Sequence, residues 1–259
     1  MRLIKSILIA FSMFSKIPVP TVKWEDKDMR YVMLIFPLIG VVIGALFLLW
    51  RKLVVLFAFD SFIQGAGFLL IPLLITGGIH LDGFCDTSDA LASHSSKEEK
   101  ARILKDPHTG AFAVISVCIY LICFFALSSE ISTSFSTIVC FGLSFVISRS
   151  YAGIVILFFN CSSETGLAKT FSSSASRVVC TIFLVAYLAL SFVLFFYYGE
   201  HIGIILVSLS LMFFILLKPI LISRFDGISG DLIGWFISVS EIISLACIVI
   251  VGRIFEGIL

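Results

Sequence analysis

Charged residues are scarce in this sequence: Lys, Arg, Asp and Glu make up 14% of its 259 residues, against about 25% in soluble globular domains. Hydrophobic residues make up 59%, and the mean hydropathy is +1.13. This composition excludes an ordinary soluble protein and indicates a protein of the lipid bilayer. The net charge of +1 and the lack of a long basic tract also exclude a nucleic-acid partner.

Cysteine patterns typical of metal sites or redox motifs are absent as well. The seven cysteines include no C-x-x-C pair, and no pair of histidines stands near them. Most of them lie within apolar runs, so we interpret them as reduced residues of the protein core.

The sequence does contain a series of apolar runs that reach or approach the roughly 20 residues needed to cross a bilayer. Backbone groups within lipid must find hydrogen-bond partners inside the protein, and a helix provides them. The sequence therefore predicts an all-α polytopic integral membrane helix bundle with about seven transmembrane helices, formed as a single catalytic domain over residues 1–259. The runs lie near 31–50, 54–79, 111–129, 137–159, 178–198, 202–222 and 232–251. Asp60 and Gln64 interrupt the second run, so we expect an interfacial turn before its true span at about 62–79.

The N-terminal stretch, residues 1–20, differs from these runs. Its basic and hydroxyl side chains share one helical face, its apolar side chains fill the other, and Pro18 and Pro20 end the pattern. This arrangement is typical of an amphipathic helix that lies in the membrane interface. A signal peptide is the competing interpretation, but Lys5 interrupts the apolar region and no A-x-A-like cleavage site follows.

The distribution of Lys and Arg predicts the orientation in the membrane. With the N-terminus inside, the long polar connections near 80–110, 160–177 and 223–231 carry many of the basic residues, whereas those near 130–136 and 199–201 carry none. We therefore expect a multi-pass protein of the cell (inner, cytoplasmic) membrane whose active site faces the cytoplasm.

Three carboxylates are concentrated at the end of the second apolar run: Asp82, Asp86 and Asp89. In a helix, their i, i+4, i+7 spacing places all three within about 60° of one another on one face. Such a cluster is stabilised by a cation, and Mg²⁺ is usually held by one or two carboxylates together with substrate phosphates. The segment predicts an Mg²⁺-dependent enzyme acting on a phosphate or diphosphate ester. The alternative is an acid-rich first turn of a helix without a metal.

Two further sites carry polar residues beside or within an apolar run. Lys105 and Asp106 precede the third run, where they could meet phosphate and complete the metal shell; a plain cytoplasmic connection is the alternative. Arg149 lies within the fourth run, where an ionisable group is costly and usually faces the bundle interior. Its guanidinium suits phosphate or carboxylate, and a structural ion pair with Glu241 or Asp60 is the alternative.

The last apolar run is preceded by Gly230 and Asp231. A helix N-terminus at this point would offer free N–H groups and the positive end of a dipole, which favours anions. Gly230 would allow close approach of a ligand to the backbone. Capping of the helix by Ser229 or Asp231 is the simpler alternative.

In this order, these residues resemble the cobalamin synthase family, whose members are also called adenosylcobinamide-GDP ribazoletransferases. The central motif, G-G-x-H-x-D-G-x-x-D-x-x-D over 77–89, is specific, and the resemblance covers nearly the whole chain. The other matching residues are weaker signals by themselves: Phe36–Gly40, Ile103–Asp106 with Gly110, Ser148 and Arg149, Gly166 and Leu167, and Gly230 and Asp231 with Gly234 and Glu241.

The resemblance implies a late step of vitamin B12 synthesis, in which α-ribazole or its 5′-phosphate is joined to adenosylcobinamide-GDP and GMP leaves. The Mg²⁺ cofactor predicted from the carboxylate spacing agrees with this reaction. We predict that Asp82, Asp86 and Asp89 bind Mg²⁺ and that one of them acts as the base toward the attacking hydroxyl. His80 is a second candidate base, because the unperturbed pKa of histidine lies near physiological pH.

The resemblance also guides the assignment of residues that meet the substrates. Lys105 and Arg149 would contact phosphate, and the other residues of the set would supply polar contacts or complete the metal shell. Besides the two substrates and the lipid bilayer, we consider a second copy of the chain and other nucleotide-loop assembly enzymes as partners. The predicted substrate-binding residues are Lys105, Asp106, Arg149, Gly230 and Asp231.

Two other classes of protein compete with this prediction. A CDP-alcohol phosphotransferase also places an Asp-Gly-rich carboxylate cluster at a membrane edge, but the Ala-Arg that this family carries after its D-G-x-x portion is absent here. An ion-coupled transporter would use Asp60, Arg149 and Glu241 as an intramembrane relay, yet the two halves of the sequence lack clearly paired broken helices. Metal-dependent release of GMP separates the predicted enzyme from both.

Overall fold

The computed structural model describes residues 2–106, 108–163 and 166–256, and within these ranges the chain is helical apart from turns and connections. The one β feature in these ranges is an isolated parallel bridge between Cys161 and Ile228. The prediction of an all-α membrane bundle is therefore confirmed. The helices are α1 (Arg2–Phe14), a 3₁₀ helix (Asp26–Tyr31), α2 (Val32–Phe57), α3 (Ser61–Thr76), α4 (Ile79–Ala92), α5 (Lys97–Ile103), α6 (Ala111–Glu130), α7 (Phe135–Phe158), α8 (Leu167–Ser174), α9 (Arg177–Arg224) and α10 (Gly230–Glu256).

Five spans among the described residues are long and apolar enough to cross a bilayer, and the bent pair of α3 and α4 makes a sixth if it counts as one span. The five are α2 with its preceding 3₁₀ helix, α6, α7, the first part of α9 and α10. The predicted run 54–79 is divided, because α2 continues to Phe57 and α3 begins at Ser61. The predicted run 202–222 corresponds to a shorter apolar segment, Ile202–Leu217.

The helix α9 folds back on itself near its middle. A Cβ atom placed on Gly203 would overlap the carbonyl oxygen of Phe195. Residues eight apart in a straight helix are separated by about 12 Å along the axis, so this contact requires a sharp bend. The bend explains how one continuous helical segment supplies two of the predicted apolar runs.

The contact of α2 with α7 lies at the centre of the bundle. A Cβ on Gly40 would lie 2.5 Å from the carbonyl oxygen of Phe145, and one on Gly142 would lie 2.7 Å from the Cα of Gly44. Small residues at such a crossing let helix backbones approach closely within a membrane. The other helices pack around this pair, and α7 is the most deeply buried of the spanning helices.

A sharp turn separates α3 from α4 and sets the direction of the carboxylate-bearing helix. The two helices are bent by 94° relative to each other. Gly77 and Gly78 join them with φ angles of 64° and 75°, in the left-handed region that glycine adopts without steric cost. The helix α4 therefore begins as a separate, polar element, and we treat it as lying outside the spanning segments.

The predicted amphipathic helix at the N-terminus exists, but it is shorter than residues 1–20 and belongs to the bundle. It ends at Phe14, and Ile9 and Ala10 are buried. Lys5, expected on the polar face, donates a hydrogen bond from Nζ to the buried carboxylate of Asp28 at 3.1 Å. This ion pair docks α1 on the 3₁₀ helix, while the placement of α1 in the membrane interface stays a prediction.

The connections meet at two ends of the bundle, as the charge distribution predicted. At one end, the N–H of Ile228 donates to the carbonyl of Asn160, and the N–H of Ser162 donates to the carbonyl of Ile228, both at 2.9 Å. Lys97 at the start of α5 forms an ion pair with Asp226 at 3.5 Å. This end also holds the N-terminal ends of α6 and α10, against which the carboxylate-bearing helix α4 packs. We therefore call it the carboxylate end.

The opposite end, called here the far end, joins the start of α3 to the connection between α6 and α7. The Nε2 of Gln64 donates to the carbonyl of Ile131 at 2.9 Å. Arg253 near the end of α10 forms an ion pair with Glu130 at the end of α6, at 2.5 Å. The short connections predicted to lie outside thus gather away from the carboxylates.

Candidate active site

The helix α4 packs directly against the first turns of α10. A Cβ on Gly83 would lie 2.7 Å from both the Cα and the carbonyl oxygen of Asp231. A Cβ on Gly234, one turn further along α10, would likewise lie 2.8 Å from the carbonyl oxygen of His80 in α4. Because two glycines let the backbones touch, Asp82 and Asp86 of α4 lie beside Asp231 across the contact.

Asp86 is the half-buried centre of four carboxylates. Its burial, and then the negative charges of Asp82, Asp231 and Asp89, raise the pKa of Asp86 from 3.8 to about 6. Carboxylates that disfavour one another's ionisation in this way are stabilised when a cation binds among them. The arrangement concentrates negative charge at this point, and the binding of Mg²⁺ there stays a prediction.

The carboxylate row on α4 is too long to surround a single ion. A helix rises about 1.5 Å per residue, so Asp82 and Asp89 are attached about 10 Å apart along the axis. Across the described residues, no group of three or more His, Cys, Asp or Glu side chains converges on one metal position. Mg²⁺ is usually held by one or two carboxylates and completed by substrate phosphates and water. Asp86 with one neighbour fits that pattern.

Asp89 also contacts the start of α6. Its Oδ1 accepts a hydrogen bond from the N–H of Ala113 at 3.3 Å, and its carboxylate lies directly against Gly110, the residue that precedes α6. The positive end of the helix dipole stabilises a carboxylate at this position. No local pattern in the sequence indicates this contact, because the partner lies in another helix.

His80 lies away from the carboxylate row. Two residues before Asp82, it projects from nearly the opposite side of α4. Its ring is buried against the edge of Phe36, with centroids 5.8 Å apart, and its Nε2 has no hydrogen-bond partner within the described structure. It lines a small cavity with Arg149 and Glu241. The structure thus brings His80 to the polar core of the bundle, and its role as a base stays a prediction.

Arg149 is completely buried in α7. Its Nη1 donates to Glu241 Oε1 at 2.5 Å, to Ser148 Oγ at 3.2 Å and to the carbonyl oxygen of Phe145 at 3.0 Å. Glu241 and Asp60 were the two predicted ion-pair partners of Arg149. The structure shows the pair with Glu241, whereas Asp60 caps the start of α3. Its Nε has no hydrogen-bond partner within the described structure, and a contact between Arg149 and phosphate stays a prediction.

Lys105 and Asp106 lie on the exposed connection between α5 and α6. Asp106 Oδ1 accepts a hydrogen bond from the backbone N–H of His108 at 2.9 Å and lies 2.7 Å from its Nδ1. The backbone N–H and then the ring of His108 lower the pKa of Asp106. Asp106 is thus paired locally, and Lys105 is exposed to solvent. The neighbouring Pro107 lies outside the described residues.

The N-terminal end of α10 is open beside Asp231. A Cβ on Gly230 would meet no atom within 4 Å, so the surrounding space can admit a ligand. Ser229 supplies the cap that the sequence offered as an alternative, since its Oγ accepts from the N–H of Leu232 at 3.2 Å. The same hydroxyl lies 3.4 Å from Asp231 Oδ2. Both the cap and the open approach to the helix end are therefore present.

Comparisons with known proteins agree over nearly the full chain. The family model described as cobalamin-5-phosphate synthase matches residues 6–249. A protein of Lachnoclostridium phytofermentans named adenosylcobinamide-GDP ribazoletransferase is 38% identical over 258 residues, which cover 99% of this chain and 98% of the relative. Relatives of the same name from Clostridium botulinum (strain Eklund 17B / Type B) and Listeria monocytogenes are 34% and 28% identical, each covering 95% of this chain and 98% of the relative. No solved structure matches the chain significantly.

Proposed function

The chain belongs to the cobalamin-5-phosphate synthase family, and from this premise we propose that it is an adenosylcobinamide-GDP ribazoletransferase. It joins α-ribazole or α-ribazole 5′-phosphate to adenosylcobinamide-GDP and releases GMP. The observation that carries the proposal is the contact of α4 with α10 at Gly83, which gathers Asp82, Asp86 and Asp231 at one end of a membrane bundle.

In this reaction, the ribose 3′-hydroxyl of the ribazole attacks the phosphorus attached to cobinamide. The new bond from oxygen to phosphorus forms as the bond to the bridging diphosphate oxygen breaks, and GMP leaves with that oxygen. The proton of the hydroxyl passes to a base on the protein. Reactions of this kind depend mainly on positioning and on stabilisation of negative charge, which a carboxylate-bound cation and a helix N-terminus can supply together.

Asp86 and Asp89 are the carboxylates that we assign to Mg²⁺. A bound Mg²⁺ offsets the negative charge of the diphosphate and of the leaving GMP. Ligating carboxylates are commonly oriented by hydrogen bonds of their own, and the N–H of Ala113 provides one to Asp89. Asp231 faces Asp86 from α10, so the ion would be held where the two helices meet.

Asp82 is the residue that we assign as the base. It is the exposed member of the row on α4, so a substrate hydroxyl can reach it without displacing the packing of α4 on α10. His80 is less suited to this role because its ring is buried on the other side of the helix. The open N-terminal end of α10 at Gly230 is available to a phosphate oxygen.

The carboxylate end should face the cytoplasm. Its connections carry Lys97, Lys100, Arg102 and Lys105 before α6, and an excess of Lys and Arg in short connections is retained on the cytoplasmic side. Both soluble substrates and the released GMP would then exchange with the cytoplasm, while the bundle remains in the cell membrane.

The direct test is release of GMP from adenosylcobinamide-GDP by the purified protein in detergent. The reaction is run with α-ribazole 5′-phosphate in the presence of Mg²⁺, after chelation by EDTA, and after Mg²⁺ is added back. We expect GMP and a cobalamin product only when both ribazole and Mg²⁺ are present. Omission of the ribazole controls for hydrolysis of the diphosphate.

Two results would overturn parts of this proposal. Full activity in EDTA would remove the role of Mg²⁺ while leaving the transfer itself intact. Release of CMP from a CDP-alcohol, with no GMP from adenosylcobinamide-GDP, would instead assign the carboxylates to a phosphotransferase of the other class. A folded state is checked in each preparation by a single symmetric peak in size-exclusion chromatography.

A further inference from the structure

A groove runs beside the carboxylate row, on the side of α4 away from α10. It has a volume of about 510 Å³ and lies between the end of α1, the turn from α3 to α4, α4 itself and α6. Asp82 and Cys85 line it from α4, and Lys16 lines it from the segment after α1. The groove therefore reaches the carboxylate that we assign as the base.

Lys16 is held over the groove by its backbone and by the stem of its side chain. Its N–H donates to the carbonyl of Ile75 at 2.7 Å, and its methylene groups lie directly against Gly77. Lys16 is exposed and forms no ion pair within the described part of the chain. A cationic side chain whose stem is already packed loses less conformational freedom when it binds an anion.

The other walls of the groove are suited to a flat apolar group. Met13 from α1, Leu81 from α4 and Val117 from α6 contribute apolar side chains. The groove thus combines a cation, an apolar lining and an exposed carboxylate. These three features match a ligand that carries an anionic group, an aromatic ring system and a hydroxyl that hydrogen-bonds to Asp82.

The volume of the groove distinguishes between the two substrates. A volume of about 510 Å³ lies within the range that encloses a drug-sized ligand. A ribazole nucleotide has that size. Adenosylcobinamide-GDP, with a corrin ring and two nucleosides, is much too large to be enclosed there and must occupy open space around the carboxylate end.

We propose that this groove binds the ribazole substrate and that Lys16 contacts its 5′-phosphate. This inference rests on the proposed function and adds which substrate lies on which side of α4. The ribazole approaches Asp82 from the groove, whereas the diphosphate of the other substrate lies at Asp86 and Asp89. Lys16 is then a specificity residue, because it pairs with the anionic phosphate of α-ribazole 5′-phosphate, whereas unphosphorylated α-ribazole offers it only a neutral hydroxyl.

The first experiment compares the two forms of the nucleoside in a Lys16→Ala variant. Loss of a charged hydrogen bond should raise the KM for α-ribazole 5′-phosphate by about 10- to 100-fold. The KM for α-ribazole should change by less than about twofold, since no phosphate contact is lost. Lys23→Ala is the matched control, because Lys23 is another exposed lysine of the same N-terminal connection and lies outside the groove.

A second variant tests the groove independently of charge. Val117→Trp fills it from α6 and should raise the KM for both forms of the ribazole, while the KM for adenosylcobinamide-GDP stays unchanged. An increase confined to adenosylcobinamide-GDP would contradict the assignment of the groove. Thermal unfolding of the variant, compared with that of the unaltered protein, establishes that it is folded.

Equilibrium binding of α-ribazole 5′-phosphate, measured without metal and without the second substrate, separates failure of this inference from failure of the function. If the unaltered protein makes cobalamin but Lys16→Ala binds both ribazole forms normally, the groove assignment is wrong and the function stands. Suppose instead that no GMP is released, but that α-ribazole 5′-phosphate binds and Lys16→Ala weakens its binding more than that of α-ribazole. The groove assignment is then supported and the proposed function is not. An effect of Lys16→Ala seen only in anionic-lipid nanodiscs would identify a lipid headgroup as the ligand and overturn the assignment.

Discussion

Arg149 in α7 and Glu241 in α10 form an ion pair with 2.5 Å between Nη1 and Oε1, and both side chains are buried. The pair joins two spanning helices and lines the same small cavity as His80, which lies in the first turn of α4. Ionisable residues inside a membrane are commonly paired in this way, and such residues often mark a substrate or ion pathway. Here Nη1 of Arg149 is paired with the Glu241 carboxylate, whereas Nε of Arg149 has no hydrogen-bond partner among the described residues. We interpret the pair as a structural tie that fixes α10 against α7.

The ion pair should be costly to break from one side. Glu241→Leu leaves the guanidinium of Arg149 buried without its partner, which typically destabilises a protein by about 3–5 kcal/mol. Thermal unfolding in detergent would report this loss, and the double variant with Arg149→Met should recover most of it. Glu130→Leu is the control, because its pair with Arg253 is exposed and should contribute about 0–1 kcal/mol. A stable double variant that has lost all transfer activity would favour a substrate role for Arg149 instead.

The backbone contact of α4 with α10 should not tolerate a side chain at its centre. Gly83→Ala would place a Cβ 2.7 Å from the backbone of Asp231, and overpacking of this kind typically costs about 1–3 kcal/mol. Because the helices must separate, transfer activity should fall together with stability. Gly252→Ala in α10, the other helix of this contact, is the control, since the nearest neighbour of its Cβ would be 3.9 Å away. Equal behaviour of the two variants would contradict a close helix contact at Gly83.

The carboxylates of α4 should separate into two kinds by their kinetics. Asp86→Asn should raise the Mg²⁺ concentration needed for half-maximal rate by at least about tenfold. Residues that only hydrogen-bond to metal ligands already contribute about 10- to 100-fold to metal affinity, and a direct ligand should contribute no less. Asp82→Asn should lower kcat by about 100- to 10,000-fold, the usual contribution of a general base, with the Mg²⁺ requirement little changed. Asp60→Asn at the far end keeps a helix cap and should leave both quantities unaltered. Identical kinetic defects in the first two variants would refute the separate roles.

The Mg²⁺ requirement should depend on pH through Asp86. Its pKa of about 6 in the metal-free protein means that below this pH Mg²⁺ must displace a proton. The half-maximal Mg²⁺ concentration should therefore rise as the pH falls through about 6 and level off above about 7. Without metal, a folded-state pKa above the unfolded value makes the protein lose stability as the pH rises through about 6. Rates at several Mg²⁺ concentrations measure the first effect, and a flat profile would contradict it.

The orientation of the bundle can be tested by insertion of alkaline phosphatase, which is active only outside the cytoplasm. Insertion after Ser132, at the far end, should give an active enzyme. Insertion after Ser95, in the connection between α4 and α5, should give an inactive one, since the basic residues around it favour the cytoplasm. The reverse pattern would place the carboxylates on the outer face.

The sequence predicted those parts of the fold that depend on local patterns. Apolar runs of spanning length located most of the membrane helices, and the spacing of Asp82, Asp86 and Asp89 anticipated the helix that carries them. These signals are local because hydropathy and helical periodicity act over a few turns. The division between α2 and α3 was also anticipated, because Asp60 and Gln64 interrupt the second apolar run, and α3 begins at Ser61, close to the expected start of the span at 62.

Tertiary contacts at the site were much less predictable. The sequence marked Asp231 as a candidate, but nothing in it specified that Gly83 would be the residue in contact with it. Lys16 was expected on the polar face of an interfacial helix, whereas it lies beyond the end of α1 and over Gly77. The consecutive glycines at 77 and 78 interrupt the apolar run, as a turn does, but the side chain that lies against Gly77 depends on packing between distant segments.

The paired connections at the carboxylate end also control the rotation of α10 about its own axis. Ile228 forms backbone hydrogen bonds through both its N–H and its carbonyl to the segment after α7. It lies only two residues before α10 begins at Gly230. One residue added between them would turn every side chain of α10 by about 100°, so Asp231 would point away from α4. The hydrogen bonds of Ile228 therefore determine how α10 is rotated about its axis where it enters the bundle. They thereby determine the direction in which the carboxylate of Asp231 faces.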